Sequence, residues 1–149
     1  MDRLTGFRRG FHPLWWSWLL SALWHPIALG GTPWYQPPSL PLNQTLTERL
    51  TEQDSPTGEG GYSRDYRLNL QAGDQILLEL HSEDFDPLIV LIAPDGSTLG
   101  ANDDGPEGGT SALLFARIPE TGIYTVRART FGSRGVGAFR LTATRLRPE

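Results

Sequence analysis

The sequence predicts an all-β protein: an antiparallel β-sandwich of jelly-roll type, preceded by a helical signal peptide and a proline-rich linker. Three observations carry this. Apolar residues in the body recur with a period near two, in short runs. Clusters of glycine, proline, asparagine and aspartate separate the runs at regular spacing. Beyond residue 30 there is no long helical pattern, and the one candidate, Thr45 to Gln53, lacks a broad apolar face.

Taken in order, residues 1–30 read as a signal peptide. Arg3, Arg8 and Arg9 form a basic start, Leu14 to Trp24 an apolar run, and Ala28-Leu29-Gly30 the small residues that a signal peptidase inspects. The run is about 11 residues long, against about 20 for a spanning helix. An uncleaved anchor is the competing reading, since Trp15, Trp16, Trp18 and Trp24 suit a membrane interface. Residues 31–41 hold Pro33, Pro37, Pro38 and Pro41, which fits an extended, mobile linker.

The body, residues 42–147, opens with a short strand containing Leu42, Thr45 and Leu46, followed by a polar loop from Thr51 to Gly61. Tyr62 to Leu70 places Tyr62, Tyr66, Leu68 and Leu70 on one face, and Gln75 to His81 turns Ile76, Leu78 and Leu80 inward. Leu88 to Ile92 is continuously apolar, the pattern of a strand buried on both faces. Pro94-Asp95-Gly96-Ser97 signals a hairpin turn. Leu113 to Ile118, Ile123 to Ala128 and Ala138 to Ala143 complete the set, with turns at Pro119–Gly122 and Gly132–Gly135.

Composition narrows the chemistry. The chain has no cysteine, so disulfides, thiolate metal sites and cysteine nucleophiles are excluded. Lysine is also absent. From Gly31 onward ten arginines face sixteen carboxylates, a balance of −6 that repels phosphate backbones and argues against a nucleic-acid partner. A membrane would be met only through an uncleaved leader.

The order of short motifs in the body resembles the bacterial pre-peptidase C-terminal domain family. The carrying residues are Tyr66-Arg67-Leu68, Ala72-Gly73-Asp74-Gln75-Ile76, Asp84-Phe85-Asp86-Pro87-Leu88, Pro94-Asp95-Gly96, Asn102-Asp103-Asp104, Pro119 to Tyr124 and Gly137 to Leu141. Each piece alone is a common turn; the ordered series is the specific part. The resemblance implies a β-sandwich appended to secreted peptidases and other exported enzymes, with relatives in bacterial collagenases that bind collagen and calcium. No peptidase pattern precedes the module in this sequence, so the expectation is a free-standing binding role in place of the appended one.

Catalysis is not expected. His81 is the one histidine beyond the leader, and no Gly-x-Ser-x-Gly elbow occurs. It reads as a surface residue at a strand end, and zinc would lack its usual ligands. Calcium needs only oxygen ligands, and the acidic loops offer Asp84, Asp86, Asn102, Asp103 and Asp104. The competing reading is that these side chains cap their own turns. No cofactor is required.

Arg117, Arg127, Arg129 and Arg140 are expected on solvent faces, with Arg127, Arg129 and Arg140 on two late strands that pair. They form either a solvated face balanced by glutamates or a binding face, since arginine forks match carboxylates. The expectation is an exported, non-catalytic binding module for an extracellular polymer or protein, calcium-assisted if the acidic loops converge. The alternative is an accessory partner of a separately encoded secreted peptidase.

Overall fold

Alternation of β-branched, aromatic and leucine residues with polar ones produces nine strands, seen in a computed structural model that describes residues 35–106, 108–132 and 135–146. They are β1 Thr45–Leu50, β2 Ser55–Pro56, β3 Tyr62–Leu70, β4 Gln75–His81, β5 Pro87–Ile92, β6 Thr98–Asn102, β7 Ser111–Arg117, β8 Gly122–Thr130 and β9 Gly137–Leu146. The expected leader, residues 1–30, and the first residues of the proline-rich stretch lie outside the described residues.

The strands form a four-stranded sheet in the order β1-β9-β4-β7 and a five-stranded sheet in the order β2-β3-β8-β5-β6. All named pairings are antiparallel. The inner faces meet in one apolar core. From the four-stranded sheet come Ile76, Leu78, Leu80, Phe139 and Leu141; from the other come Tyr66, Leu68, Ile89, Leu91, Tyr124 and Val126. Burying each of the aliphatic side chains contributes about 1.5–3 kcal/mol before the entropy of ordering the chain is set against it.

Three expectations change. β5 alternates instead of being buried on both faces: Ile89 and Leu91 are buried, while Leu88, Val90 and Ile92 are half-covered. Its outer residues lie opposite Arg129, Arg127 and Thr125 of β8, so no second layer covers them. The polar loop contains the two-residue strand β2, which caps one end of the β3 edge at Tyr62 and Ser63. The hairpin signalled at Pro94 to Ser97 does form, pairing β5 with β6. The opening strand begins at Thr45, and Leu42 sits before it in an isolated parallel bridge with Ala143.

The proline-rich stretch is docked from Tyr35 onward. The Arg67 N–H donates to the Pro38 carbonyl and the Leu40 N–H to the Arg67 carbonyl, both at 2.8 Å, and Leu40 is buried. Prolines lack an amide proton but keep the carbonyl, so Pro38 serves the sheet edge as an acceptor while Leu40 supplies the donor.

The loop between β4 and β5 is held close to the start of β9 by two glycines. A Cβ on Gly137 would lie 2.2 Å from the Asp84 Cβ, and one on Gly135 2.3 Å from the Phe85 Cβ. Their φ angles, 152° and 130°, also disfavour a side chain. Ser82 completes the clamp: its hydroxyl donates to the Ala138 carbonyl and accepts from the Asp84 and Phe85 amides.

Tyr66 is 1% exposed, and its hydroxyl has no hydrogen-bond partner. Burial, with the carboxylates of Glu48 and Asp54 adding to it against Arg64, pushes the phenol up to about 12. A pKa raised in the fold above the unfolded value near 10 contributes stability that is full below pH 10 and lost as pH rises through 12. We expect urea midpoints to fall across that window, with Tyr66 contributing on the order of 2 kcal/mol. Tyr66→Phe removes that share of the alkaline loss; an unchanged pH profile would contradict the assignment.

Candidate functional site

β-Strand geometry sends alternate side chains outward, so the outer face of the four-stranded sheet can be read by register. Arg140 of β9 lies opposite His81 of β4, which lies opposite Ser111 of β7. At the far end Leu146, Gln75 and Arg117 form the matching row. The two arginines are thus six residues apart along the strands, about 20 Å. Between them sit Leu77, Leu113 and Phe115, and Phe115 is 54% exposed.

Two clefts of about 250 and 290 Å³ adjoin at the Arg140 end and share His81 and Arg140. The first is walled by Thr47, Ser82, Glu83, Asp84, Ala138 and Phe139; the second reaches Thr45, Glu79, Thr142 and Leu113. The Thr45 and Thr142 hydroxyls bond each other at 3.0 Å across β1 and β9. The His81 Nε2 lies 3.0 Å from the Glu83 carboxylate. The face therefore offers hydroxyls, carboxylates and arginines around an apolar centre.

The four arginines singled out by sequence do not form one ladder. β8 and β9 belong to different sheets, so Arg127 and Arg129 face outward on one side of the sandwich, and Arg117 and Arg140 on the other. The sequence shows that both strands are amphipathic but not which sheet each joins. The two pairs also differ chemically. Arg127 is held by Asp65 through Nε at 2.7 Å and Nη2 at 2.8 Å, and Arg129 donates to Glu59 at 2.8 Å. Arg117 and Arg140 are exposed and make no ion pair with a described residue.

Of the five residues considered for calcium, Asp84 and Asn102 are already engaged by other groups. Asp84 accepts the Ala138 amide at 2.8 Å and faces Arg49 at 3.9 Å. Asn102 spends its amide on the carbonyls of Asp104 and Leu113, both at 2.8 Å, which caps the loop before β7. Asp86 lies near enough to Asp103 and Asp104 to feel their charges. Burial, then the charges of Asp103 and Asp104, raise the Asp86 carboxyl above its ordinary value. Among the described residues, no group of three or more histidine, cysteine, aspartate or glutamate side chains is placed to hold a metal ion.

Sequence reading missed Phe115, Leu77 and Leu113 as a surface patch. The signal was present: Leu113, Phe115 and Arg117 share one parity of β7, opposite to Ala112 and Ala116, which are buried. Two parities that are both partly apolar leave the inner one ambiguous, and the register against β4 resolves it.

A bacterial pre-peptidase C-terminal domain model matches residues 62–130. The pre-peptidase C-terminal domain of collagenase from Bacillus anthracis is similar in structure, with a TM-score of 0.51 and 17% identity. That match covers 72% of this chain and 94% of that one. Aeromonas hydrophila PliG, a periplasmic lysozyme inhibitor of g-type lysozyme, aligns with a TM-score of 0.46 and 15% identity, over 67% of this chain and 84% of that one. No curated protein matches the chain in sequence.

Proposed function

We propose that this chain, which carries a bacterial pre-peptidase C-terminal domain, is an exported, non-catalytic binding module for an extracellular polymer or protein. The observation that carries the reading is the outer face of the four-stranded sheet. Its arginines, Arg117 and Arg140, are uncommitted and about 20 Å apart, with Phe115 between them. An extended partner with spaced carboxylates fits such a face better than a compact one. Arg127 and Arg129, already neutralised, have less to offer a partner.

A secreted or periplasmic location accords with the leader pattern of residues 1–30 and with the collagenase whose pre-peptidase C-terminal domain is similar in structure. The strand orders support a jelly-roll reading, since each sheet interleaves early and late strands. The boundaries proposed are a leader to residue 30, a proline-rich segment to 41 and the sandwich from 42 to 147. A calcium-assisted form of the reading draws on the Asp86 carboxyl, which burial and the charges of Asp103 and Asp104 raise above its ordinary value, and would need oxygen ligands beyond these side chains. The alternative, an accessory partner of a separately encoded secreted peptidase, draws on the family match.

The test is retention of the full chain on insoluble collagen, cellulose, chitin and peptidoglycan, with calcium or with chelator. We expect selective retention, weakened about tenfold or more by Arg117→Ala with Arg140→Ala, a change of about 1.4 kcal/mol. Arg129→Ala should leave it unchanged. Loss in chelator supports the calcium form. Retention untouched by the double substitution would sink the four-stranded face as the binding surface, and a folded sample held by nothing would move the proposal to the peptidase-partner alternative.

A further inference from the structure

We infer that a second site, separate from the four-stranded face, takes a single neutral sugar ring in a cleft at the β3 edge. The edge is covered at two points. β2 pairs with Tyr62 and Ser63, and the strap bonds Arg67 through Pro38 and Leu40. Backbone groups on a strand alternate between its two sides, so the N–H and C=O of Asp65 face the same open edge as those of Ser63 and Arg67. A gap one residue long is left between β2 and the strap, opening into a cleft of about 370 Å³.

The lining points to a ligand. Tyr66 lines this cleft, and its hydroxyl is both buried and without a hydrogen-bond partner. Arg64 beside it spends its guanidinium on others: Nε and Nη2 on Asp54 at 2.7 and 2.9 Å, and Nη1 on Glu48 at 3.2 Å. The apolar part of the lining comes from Tyr35, Pro37 and Pro38. The Tyr35 hydroxyl donates to Asp65, which fixes an otherwise exposed ring in place. The lining also includes the polar Glu48, Asp54 and Ser55.

Charge and size select the class. Glu48, Asp54 and Asp65 are set against Arg64 and Arg127, so the surroundings are close to balance and slightly negative. An anion is disfavoured. A strand cannot add, because one free N–H and one free C=O between two covered positions give no ladder. The volume falls at the small end of ligand pockets. Sugar hydroxyls donate and accept at once, which suits the second oxygen of the Glu48 carboxylate, a phenol and a backbone pair side by side. The C–H face of a pyranose suits the tyrosine–proline part of the lining.

The experiment is amide chemical-shift mapping on the full chain with neutral trisaccharides: cellotriose, chitotriose, maltotriose and mannotriose. At least one should shift Glu48, Ser55, Asp65 and Tyr66 together. Tyr35→Ala and Glu48→Gln should each weaken that binding fivefold or more, with melting curves showing both variants folded. Tyr66→Phe, which keeps the ring, should weaken it severalfold. No shift with any sugar at 10 mM, or shifts confined to Arg140 and His81, overturns the inference. Shifts produced by an arginine-rich peptide but by no sugar also overturn it, assigning the cleft to a cationic peptide. Arg117→Ala with Arg140→Ala should leave sugar binding intact, so this inference and the polymer-face proposal fail separately.

Discussion

Phe139→Ala is expected to cost about 3–5 kcal/mol of folding stability, the largest single effect in the molecule. Phe139 is 2% exposed and lies on β9, which has a partner on both sides, β1 and β4. Its ring meets that of Phe85 edge to face, with centroids 6.3 Å apart and planes at 69°. Truncation removes the buried ring, leaves a cavity and deprives Phe85 of its partner. Phe85 anchors the loop between β4 and β5, and that loop supplies Glu83 and Asp84 to the cleft beside Arg140. The loss should therefore appear in urea midpoints and, near the folded baseline, as weaker retention on the preferred polymer. Phe139→Leu keeps most of the volume and should cost less than about 1.5 kcal/mol. Phe115→Ala, on the exposed side of β7, should stay within about 0.5 kcal/mol. Equal costs at Phe139 and Phe115 would contradict the assignment of inner and outer faces.

The contrast between these phenylalanines marks what period-two patterning can and cannot tell. Ile76, Leu78 and Leu80 alternate with Gln75, Leu77 and Glu79, and the buried parity was legible because two of the three outer residues are polar. Leu88 to Ile92 offered no polar parity, so it read as buried on both faces; the structure sets its outer side against arginines of β8. Sheet membership was beyond reach for β8 and β9. Both carry arginine–apolar alternation, and only pairing with β3 and β5, or with β1 and β4, separates them. The acidic loops were visible as composition. Which oxygens were already spent was not, since Asn102 and Asp84 bond backbone groups 11 and 54 residues away. The strap was hidden for a different reason: proline content announces extension, and an extended segment is mobile or docked according to whether a sheet edge lies open beside it.

Arg127→Ala is expected to cost more than Asp65→Ala, about 3 kcal/mol against 1–2 kcal/mol. The two side chains form a bidentate pair, but their surroundings are unequal. The Asp65 side chain is 4% exposed, that of Arg127 39%. Removing Asp65 leaves a guanidinium that can still reach water. Removing Arg127 strands a carboxylate with only the Tyr35 hydroxyl to satisfy it, and water cannot replace the lost charge. The double variant should then be more stable than Arg127→Ala alone, because the stranded charge is gone. A double-mutant cycle in urea reads this coupling directly. Added salt should change the ordering little, since ions screen exposed pairs far more than one with a buried partner. Asp65 also holds Tyr35 and, through it, the end of the proline strap. Asp65→Ala should therefore weaken trisaccharide binding at the β3 edge while costing less stability than Arg127→Ala. If Asp65→Ala were instead the more destabilising change, the carboxylate would have to be hydrated in the native state, and the strap would not be closing over it.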